Sequence, residues 1–337
     1  MQFFKYAGIH ALLWVLFTCS ASSSTWTDGA ANDSWNDAGN WTGGVPNASG
    51  AVADFPTIGV AQTVDVNTGV TVSVMNFDST DNYTINGPGT LTFSGPNNIT
   101  ITTGTHTIAA NMYLHAKALD IINNTANPFT ISGNISGNDS ITIQSGLTIL
   151  SGSNSVVAGN SATISAGATL QLDANNSLGT RPVTVNGTFR LSSNIGLTEI
   201  RTLQGSGTVD LNNNTLRIHS GSFSGTIMET AGPGGINKTT ADNLTLSGAC
   251  SYTGLTDIQQ GTLNVTGSIV SPVQVNGGAF LTGTGSVGTT TNSGTVSPGT
   301  SIGTLTINGN YTQTGDLLIE ISDDGSSDLL NITGTAT

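Results

Sequence analysis

Charged side chains and cysteines are both scarce in this chain of 337 residues. Asp, Glu, Lys and Arg make up 8% of it, whereas soluble domains typically hold about 25%. The formal net charge is −13, so the composition argues against nucleic acid or an anionic membrane surface as a partner. The two cysteines are Cys19 and Cys250. If Cys19 leaves with an N-terminal leader, no internal disulfide can form, and Cys250 is expected to be a small buried hydrophobe.

Long apolar runs are also missing, except near the start of the chain. Lys5 gives a positive beginning, residues 7–17 (AGIHALLWVLF) are apolar, and small residues follow. That run is too short to span a bilayer and has the pattern of a secretory signal. We therefore predict a signal peptide at residues 1–24, with cleavage after Ala21 or at one of the next three serines, and an exported product. Lipidation of Cys19 is the alternative fate of this segment.

Alternating apolar and polar residues run through the rest of the chain and predict short β-strands. Examples are TVSV at 71–74, ITIT at 99–102, ITIQ at 141–144 and TLNV at 262–265. Each run is bounded by Gly, Asn or Ser, which is the usual punctuation of strands by turns. Strong helix formers are rare, and even residues 111–122, the best candidate for a helix, are predicted to be strand. The fold class is therefore all-β.

Internal repetition favours one all-β architecture over a sandwich or a barrel. Residues 146–187 and 243–277 contain three similar strand and turn blocks in the same order. Such repeats of short strands are typical of solenoids, in which each coil contacts only its neighbours. We predict a right-handed parallel β-helix with about 20–25 residues per coil and a length of about 60–70 Å. Recurring Thr, Asn and Ser are expected to stack in hydrogen-bonded ladders between coils.

The first coil of a solenoid would expose its core, so a cap is expected there. Trp26, Trp35 and Trp41 are predicted to fill that cap, and an aromatic cluster that binds sugar rings is the alternative. The predicted division is a cap region at residues 25–60, β-helix coils at 61–233, and further coils at 234–337.

Two short motifs resemble enzyme signatures. Residues 283–288 (GTGSVG) fit a dinucleotide-binding fingerprint, and residues 299–303 (GTSIG) fit the nucleophile elbow of hydrolases. The first needs a following helix and an acidic residue about 20 positions on, and the second needs a later acid and His. No helix pattern follows residue 288, and no His follows Ser301. We interpret both as coil corners in a glycine-rich chain.

Other chemical groups are scattered along the chain. The histidines after the leader, His106, His115 and His219, lack zinc-site spacing. The arginines, Arg181, Arg190, Arg201 and Arg217, fall in one stretch; a lyase-like use of Arg190 or Arg217 beside Asp173 or Asp210 is the alternative to solvated outer side chains.

Acidic groups give no firmer site. Glycosidases need paired carboxylates, for which Glu199, Glu229 and Glu320 are the glutamates available. Asp323, Asp324 and Asp328 could hold calcium through oxygen ligands, although they lack an EF-hand spacing, and a polar loop is the preferred interpretation. The sequence therefore predicts no catalytic, cofactor-binding or metal-binding residues, no cofactor, and no enzyme.

Several segments of the chain resemble the passenger domains of bacterial autotransporters. WNDAGNW at 35–41, with GVP at 44–46 and DFP at 54–56, looks like the opening of many passengers. GINK at 235–238, LTLSG at 244–248, YTG at 252–254 and GTL at 261–263 look like the passenger-associated transport repeat, best matched at 234–283.

The resemblance implies a non-catalytic stalk or display segment at the cell surface, an adhesin in some cases. Its expected partners are an outer-membrane translocator barrel and a receptor on a host cell, in a matrix or on a glycan. The family ends in that barrel, whose pattern is missing from this chain, so the chain is expected to be truncated in mid-passenger. The alternatives are an extracellular polysaccharide-degrading β-helix enzyme and a structural envelope or matrix protein.

Overall fold

The structure is a computed structural model that describes residues 23–115, 117–152, 160–175 and 178–337. Residues 1–22 of the predicted signal peptide, including Cys19, lie outside the described residues. The described part is all-β, with one turn of 3-10 helix at Ala38–Asn40. No helix in that part has the length and apolar character needed to cross a membrane. Within this segment Asn111–His115 and Leu119–Asn123 form strands β9 and β10, defined below, so the prediction of strand there is confirmed for these residues.

The strands belong to three sheets. The largest sheet holds 23 strands: β1 Ser23–Trp26, β2 Trp41–Thr42, β3 Val52–Pro56, β5 Val70–Asp78, β7 Thr90–Thr103, β9 Asn111–His115, β10 Leu119–Asn123, β12 Ile135–Gly137, β13 Ile141–Ser145, β15 Ala162–Ile164, β17 Pro182–Val185, β19 Leu197–Gly205, β21 Thr215–Phe223, β23 Gly235–Lys238, β24 Asn243–Leu246, β26 Thr256–Ile258, β27 Gly261–Val265, β29 Val273–Val275, β30 Ala279–Gly283, β32 Thr290–Asn292, β33 Thr295–Pro298, β35 Tyr311–Gln313 and β36 Asp316–Leu317.

The other two sheets are smaller. The second has nine strands: β4 Gln62–Asp65, β6 Tyr83–Asn86, β8 Thr107–Ile108, β11 Phe129–Ile131, β14 Leu147–Leu150, β16 Thr169–Leu172, β18 Thr188–Leu191, β20 Thr208–Asp210 and β22 Thr226–Met228. The third has five: β25 Ala249–Cys250, β28 Ser268–Ile269, β31 Ser286–Val287, β34 Thr304–Ile307 and β37 Leu329–Ile332.

Successive strands pair in parallel with the strands one coil away, which makes a β-solenoid of about 13 turns. In the C-terminal half, β26, β27 and β28 form one coil, and they pair with β29, β30 and β31 of the next. The predicted parallel β-helix is thus confirmed. At about 4.8 Å per coil, 13 turns extend over about 60 Å.

Coil length varies more than the sequence pattern indicated. Along the sequence, far fewer residues separate Leu281 from its register partner Val296 than separate Phe77 from its register partner Ile101. Short coils are possible because some corners are tight and some strands, such as β31, contain only two residues.

The variation in coil length also affects where the two halves of the sequence repeat lie in the structure. β14 pairs in the nine-stranded sheet, whereas its sequence counterpart β24 pairs in the largest one, so the two blocks occupy different faces of the solenoid.

Alternation along each strand separates the core from the surface. In β13, Ile141 and Ile143 are buried while Thr142 between them is partly exposed. The same alternation in the paired strands builds one continuous hydrophobic core along the solenoid, because the parallel register keeps inward residues in line in most strand pairs. Irregularities interrupt that register within β5 and β10. Between coils, side chains form the expected ladders, as in Asn76 Nδ2, which donates to Asp54 Oδ1 at 2.8 Å.

The N-terminal end of the core is covered by a hairpin. β1 and β2 pair in antiparallel fashion, and β1 also pairs in parallel with β3. Trp26, Trp35 and Trp41 are 0%, 0% and 5% exposed, and the ring of Trp41 contacts both others with centroid distances of 5.1 and 5.0 Å. These rings therefore fill the end of the core as the cap hypothesis requires, and their burial leaves no stacking surface for sugars.

Candidate functional site: a charged cluster on the outer face

The densest cluster of interacting charged side chains in the described residues lies on the outer face of β19 and β21. Glu199 of β19 is register-paired with Arg217 of β21. Arg217 Nη1 donates to Glu199 Oε2 at 3.1 Å, and His219 Nε2 lies 2.8 Å from Glu199 Oε1. These three side chains are between 22% and 33% exposed, so solvent and a ligand can reach them.

The solenoid brings these residues together although Arg217 and His219 follow Glu199 by 18 and 20 positions in the sequence. Residues 199 and 201 alternate outward on β19, and residues 217 and 219 do so on β21, so the coil step places them in two adjacent rows. The resulting four-residue group is the charged cluster: Glu199, Arg201, Arg217 and His219. Arg201 is exposed and has no ion-pair partner within the described part of the chain.

The cluster offers two kinds of chemistry. When the Nε2–H of an uncharged imidazole donates to a carboxylate, the other ring nitrogen, Nδ1, is left as a hydrogen-bond acceptor. This is the arrangement of an oriented general base. Arg201 and Arg217 carry guanidinium groups suited to carboxylate, sulfate or phosphate. Both oxygens of Glu199 are already engaged, so Arg201 contributes the uncompensated positive charge. The cluster therefore favours an anionic ligand.

Sequence reasoning missed this cluster because it assigns partners by residue type alone. The lyase-like alternative pairs Arg190 or Arg217 with Asp173 or Asp210, but Arg217 contacts Glu199. Arg190 does approach Asp210, with Nε 3.6 Å from Oδ2, on β18 and β20 of the nine-stranded sheet. If the local coil length were known in advance, the sequence would indicate that Glu199 lies next to both Arg217 and His219.

The remaining candidate histidines and arginine lie apart from this cluster. His106 is buried among aromatic rings, and His115 is exposed beside Tyr113, with ring centroids 6.3 Å apart. Arg181 is 2% exposed, and burial lowers its pKa to about 10.

The acidic candidates are engaged in local hydrogen bonds. Asp173 Oδ1 accepts from Gln171 at 2.8 Å, and Glu229 Oε2 accepts from the Gly234 amide at 2.6 Å. Asp328 is buried and accepts from the amides of Gly303 and Glu320, each at 2.9 Å. Within the described ranges, no group of three or more His, Cys, Asp or Glu is placed to hold a metal ion.

The two enzyme-like motifs lie at corners between strands. Residues 283–288 span the end of β30 and all of β31. Ser301 lies in the turn between β33 and β34 and lines an open cavity of about 320 Å³ together with Ser297 and Glu320. No His lines this cavity among the described residues.

Cys250 is buried at 2% exposure, and burial raises the pKa of its thiol to about 11. A thiolate at this position is therefore disfavoured at neutral pH. Its position in β25 agrees with the predicted role as a small buried hydrophobe.

Comparison with known proteins gives one informative similarity. The chain is 36% identical over 111 residues to an extracellular serine protease of Serratia marcescens, which is 32% of this chain and 11% of that protein. No family model matches the chain, and no solved structure matches it. The chain thus matches about a tenth of the length of this relative.

This similarity changes one prediction and supports others. The prediction that the chain is not an enzyme is contradicted, because the relative is named as a protease. The extracellular name and the β-solenoid together are compatible with an exported autotransporter passenger, and they agree with the prediction of export.

Proposed function

We propose that this chain is the β-solenoid passenger of an autotransporter-like exported protein, a rigid rod that carries a functional surface away from the cell. The observation that carries the proposal is the parallel stack of about 13 coils with one continuous core. Each coil needs only its neighbour for its backbone hydrogen bonds and core contacts. Such a chain can fold coil by coil as it emerges from a translocator, without a long-range contact that must form first.

A surface-display experiment tests this proposal. Residues 22–337 would be fused to the translocator barrel of a known autotransporter, and exposure on intact cells would be measured with an antibody and added protease. We expect surface display of the wild-type chain and reduced display of Leu263→Asp, because Leu263 is fully buried in β27. Phe280→Asp is the matched control, since Phe280 is 41% exposed on the neighbouring strand β30. Failure of the wild-type fusion to reach the surface, while the native passenger of the same barrel does, would contradict the proposal.

We propose further that an adhesive contact uses the charged cluster and that its ligand is an acidic glycan. The support is the exposed Arg201, which has no ion-pair partner among the described residues and lies beside the Glu199–Arg217 pair, in a chain whose overall charge is −13. Long-range repulsion makes binding of an anion to this rod unfavourable elsewhere, so recognition depends on this local positive charge.

Binding to arrays of uronate-containing and sulfated glycans at low and physiological salt tests this contact. Arg201→Ala should remove most of the signal, whereas Lys117→Ala changes an exposed cation between β9 and β10, outside the cluster, and should not. Glycan binding that survives Arg201→Ala, or binding to neutral glycans alone, would refute the assignment of the ligand class.

A serine-dependent hydrolase is the second candidate function, favoured by the name of the matched relative and by the cavity that holds Ser301 and Glu320. Labelling with a fluorophosphonate probe gives a direct test. Labelling that is lost in Ser301→Ala but kept in Ser293→Ala would support this candidate. Absence of labelling, or equal labelling of both variants, would exclude Ser301 as the nucleophile.

A further inference from the structure

A row of stacked rings continues from the cap into the N-terminal coils. Phe55 and Phe77 stack with centroids 4.8 Å apart, and Phe77 stacks on the imidazole of His106 at the same distance. Phe129 of the next coil lies 6.3 Å from Phe77. His106 is 1% exposed, and strand register places its imidazole between the aromatic rings of Tyr83 and Phe129 in the neighbouring coils.

Both ring nitrogens of His106 have backbone partners, and these partners fix its protonation. The Tyr83 amide donates to Nδ1 at 3.2 Å, and Nε2 lies 2.8 Å from the carbonyl oxygen of Thr103. A carbonyl can only accept, so Nε2 carries the proton; an amide can only donate, so Nδ1 is without one. The folded coils therefore require the neutral imidazole in a single tautomer.

A second proton would disrupt this arrangement. It would sit on Nδ1 and point at the Tyr83 N–H, so one hydrogen bond would become a repulsive contact. The charged ring would also lie in an apolar stack, where an uncompensated charge is strongly disfavoured. Burial accordingly lowers the pKa of His106, and this effect outweighs the backbone hydrogen bonds of Thr103 and Ser79, which raise it.

The other titratable groups near this ring do not supply a ready counter-charge. Burial raises the pKa of Tyr83, which stays neutral at acidic pH. Asp78 at the end of β5 accepts from the Thr102 hydroxyl at 2.7 Å. Asp81 Oδ2 accepts from the amides of residues 58 and 59 at 2.8 and 2.7 Å. The negative charge of Asp28, in the cap region, also raises the pKa of the Tyr83 hydroxyl.

We propose that His106 makes the N-terminal coils of this rod an acid-sensitive unit, whose local opening becomes more favourable below about pH 6.5 while that of the C-terminal coils does not. The sign follows from linkage: opened coils bind the proton with an ordinary pKa near 6.5, and closed coils bind it less readily. The stabilisation by neutral His106 is therefore complete above about pH 6.5 and is lost as the pH falls toward the lowered pKa of the closed state.

Two local reporters in the chain make the proposal testable. In the form cleaved after Ala21, the tryptophans are Trp26, Trp35 and Trp41, so tryptophan emission reports on the N-terminal coils. The thiol of Cys250 in β25 reports on the C-terminal half, through its reaction with dithiodipyridine, which is usable at acidic pH. Both signals would be followed in urea at pH 7 and at pH 5.

We expect the opening equilibrium of the N-terminal coils to rise by as much as about 25-fold between pH 7 and pH 5, the limit for one proton with an opened-state pKa near 6.5. Reaction of Cys250 should not follow this change. In His106→Asn, which keeps a neutral acceptor, the pH dependence of tryptophan emission should largely disappear. In the control His115→Gln, which removes an exposed imidazole of β9, it should remain.

Equal pH dependence in wild type and His106→Asn would overturn the proposal, as would opening of Cys250 together with the tryptophans. If His106→Asn fails to fold, titration of the His106 ring protons by NMR in the wild-type chain decides the matter. A ring that takes up its proton near pH 6.5 or above while the N-terminal coils stay closed would also overturn it.

Discussion

Truncating Trp35 to alanine should open the N-terminal end of the solenoid and leave its far end intact. The Trp35 side chain is fully buried, with ring centroids 5.0 Å from Trp41 and 5.8 Å from Phe55. Its Nε1 donates to the Pro46 carbonyl at 3.2 Å, and its own carbonyl accepts from Trp41 Nε1 at 2.8 Å. The variant loses the ring contacts and leaves the Pro46 carbonyl without this donor.

The expected loss is about 3–5 kcal/mol in the local free energy of unfolding, as for other buried aromatic residues cut to alanine. At about 1.4 kcal/mol per factor of ten, this is a rise of about two to four orders of magnitude in the opening equilibrium. A solenoid does not unfold as one two-state unit, so a single midpoint would mix N-terminal and C-terminal events.

Hydrogen exchange followed by mass spectrometry separates the two ends. Peptides from β3 and β5 should lose protection in Trp35→Ala, while peptides from β27 and β30 should keep it. Tyr113→Ala is the matched control: Tyr113 is 37% exposed, and its removal should change stability by no more than about 0.5 kcal/mol. A loss below about 1 kcal/mol at β3 and β5, or an equal loss at both ends, would show that Trp35 does not act as a cap.

Three further predictions concern other parts of the chain. Gly221→Ala should lower stability by about 1–3 kcal/mol in a urea titration, because Gly221 has φ +141° and its added Cβ would lie 2.0 Å from a backbone oxygen of the neighbouring coil. Iodoacetamide at pH 8 should modify Cys250 slowly in the folded chain and rapidly in urea, since the pKa of its buried thiol is about 11; fast native modification would contradict the described burial. Limited proteolysis should leave a C-terminal core that begins between Thr226 and Tyr252, because a block of well-paired coils can stay folded when its neighbours open; a stable N-terminal fragment alone would refute this.

The strands and the fold class could be predicted from the sequence because alternation and turn residues are local signals. Ile141 and Ile143 face inward for the same reason that any apolar residues spaced by two share a face of a strand. Lys238 illustrates the limit of that rule. It follows Ile236 at the same spacing and is fully buried, with Nζ donating to the carbonyl oxygens of Thr240 and Gln260. Composition alone predicts an exposed lysine.

The charged cluster could not be predicted, because contacts between coils depend on coil length. Corners of different size make the step short between Leu281 and Val296 and long between Phe77 and Ile101. Glu199 pairs with Arg217 because the coil there is longer than the one from Leu281 to Val296 and shorter than the one from Phe77 to Ile101. The environment of His106 could not be predicted either, since the stack that surrounds its ring comes from other coils.

Stacking of strands across the rod axis has a mechanical consequence. A force applied between the two ends of the rod acts along the backbone hydrogen bonds and can break them one coil at a time, as in peeling. Each coil that yields releases on the order of 20 residues, which is about 70 Å of extended chain. Because the coils differ in length, the molecule would behave as an extensible tether that lengthens in discrete, unequal steps. Single-molecule pulling at constant speed would record them as a series of unevenly spaced force peaks.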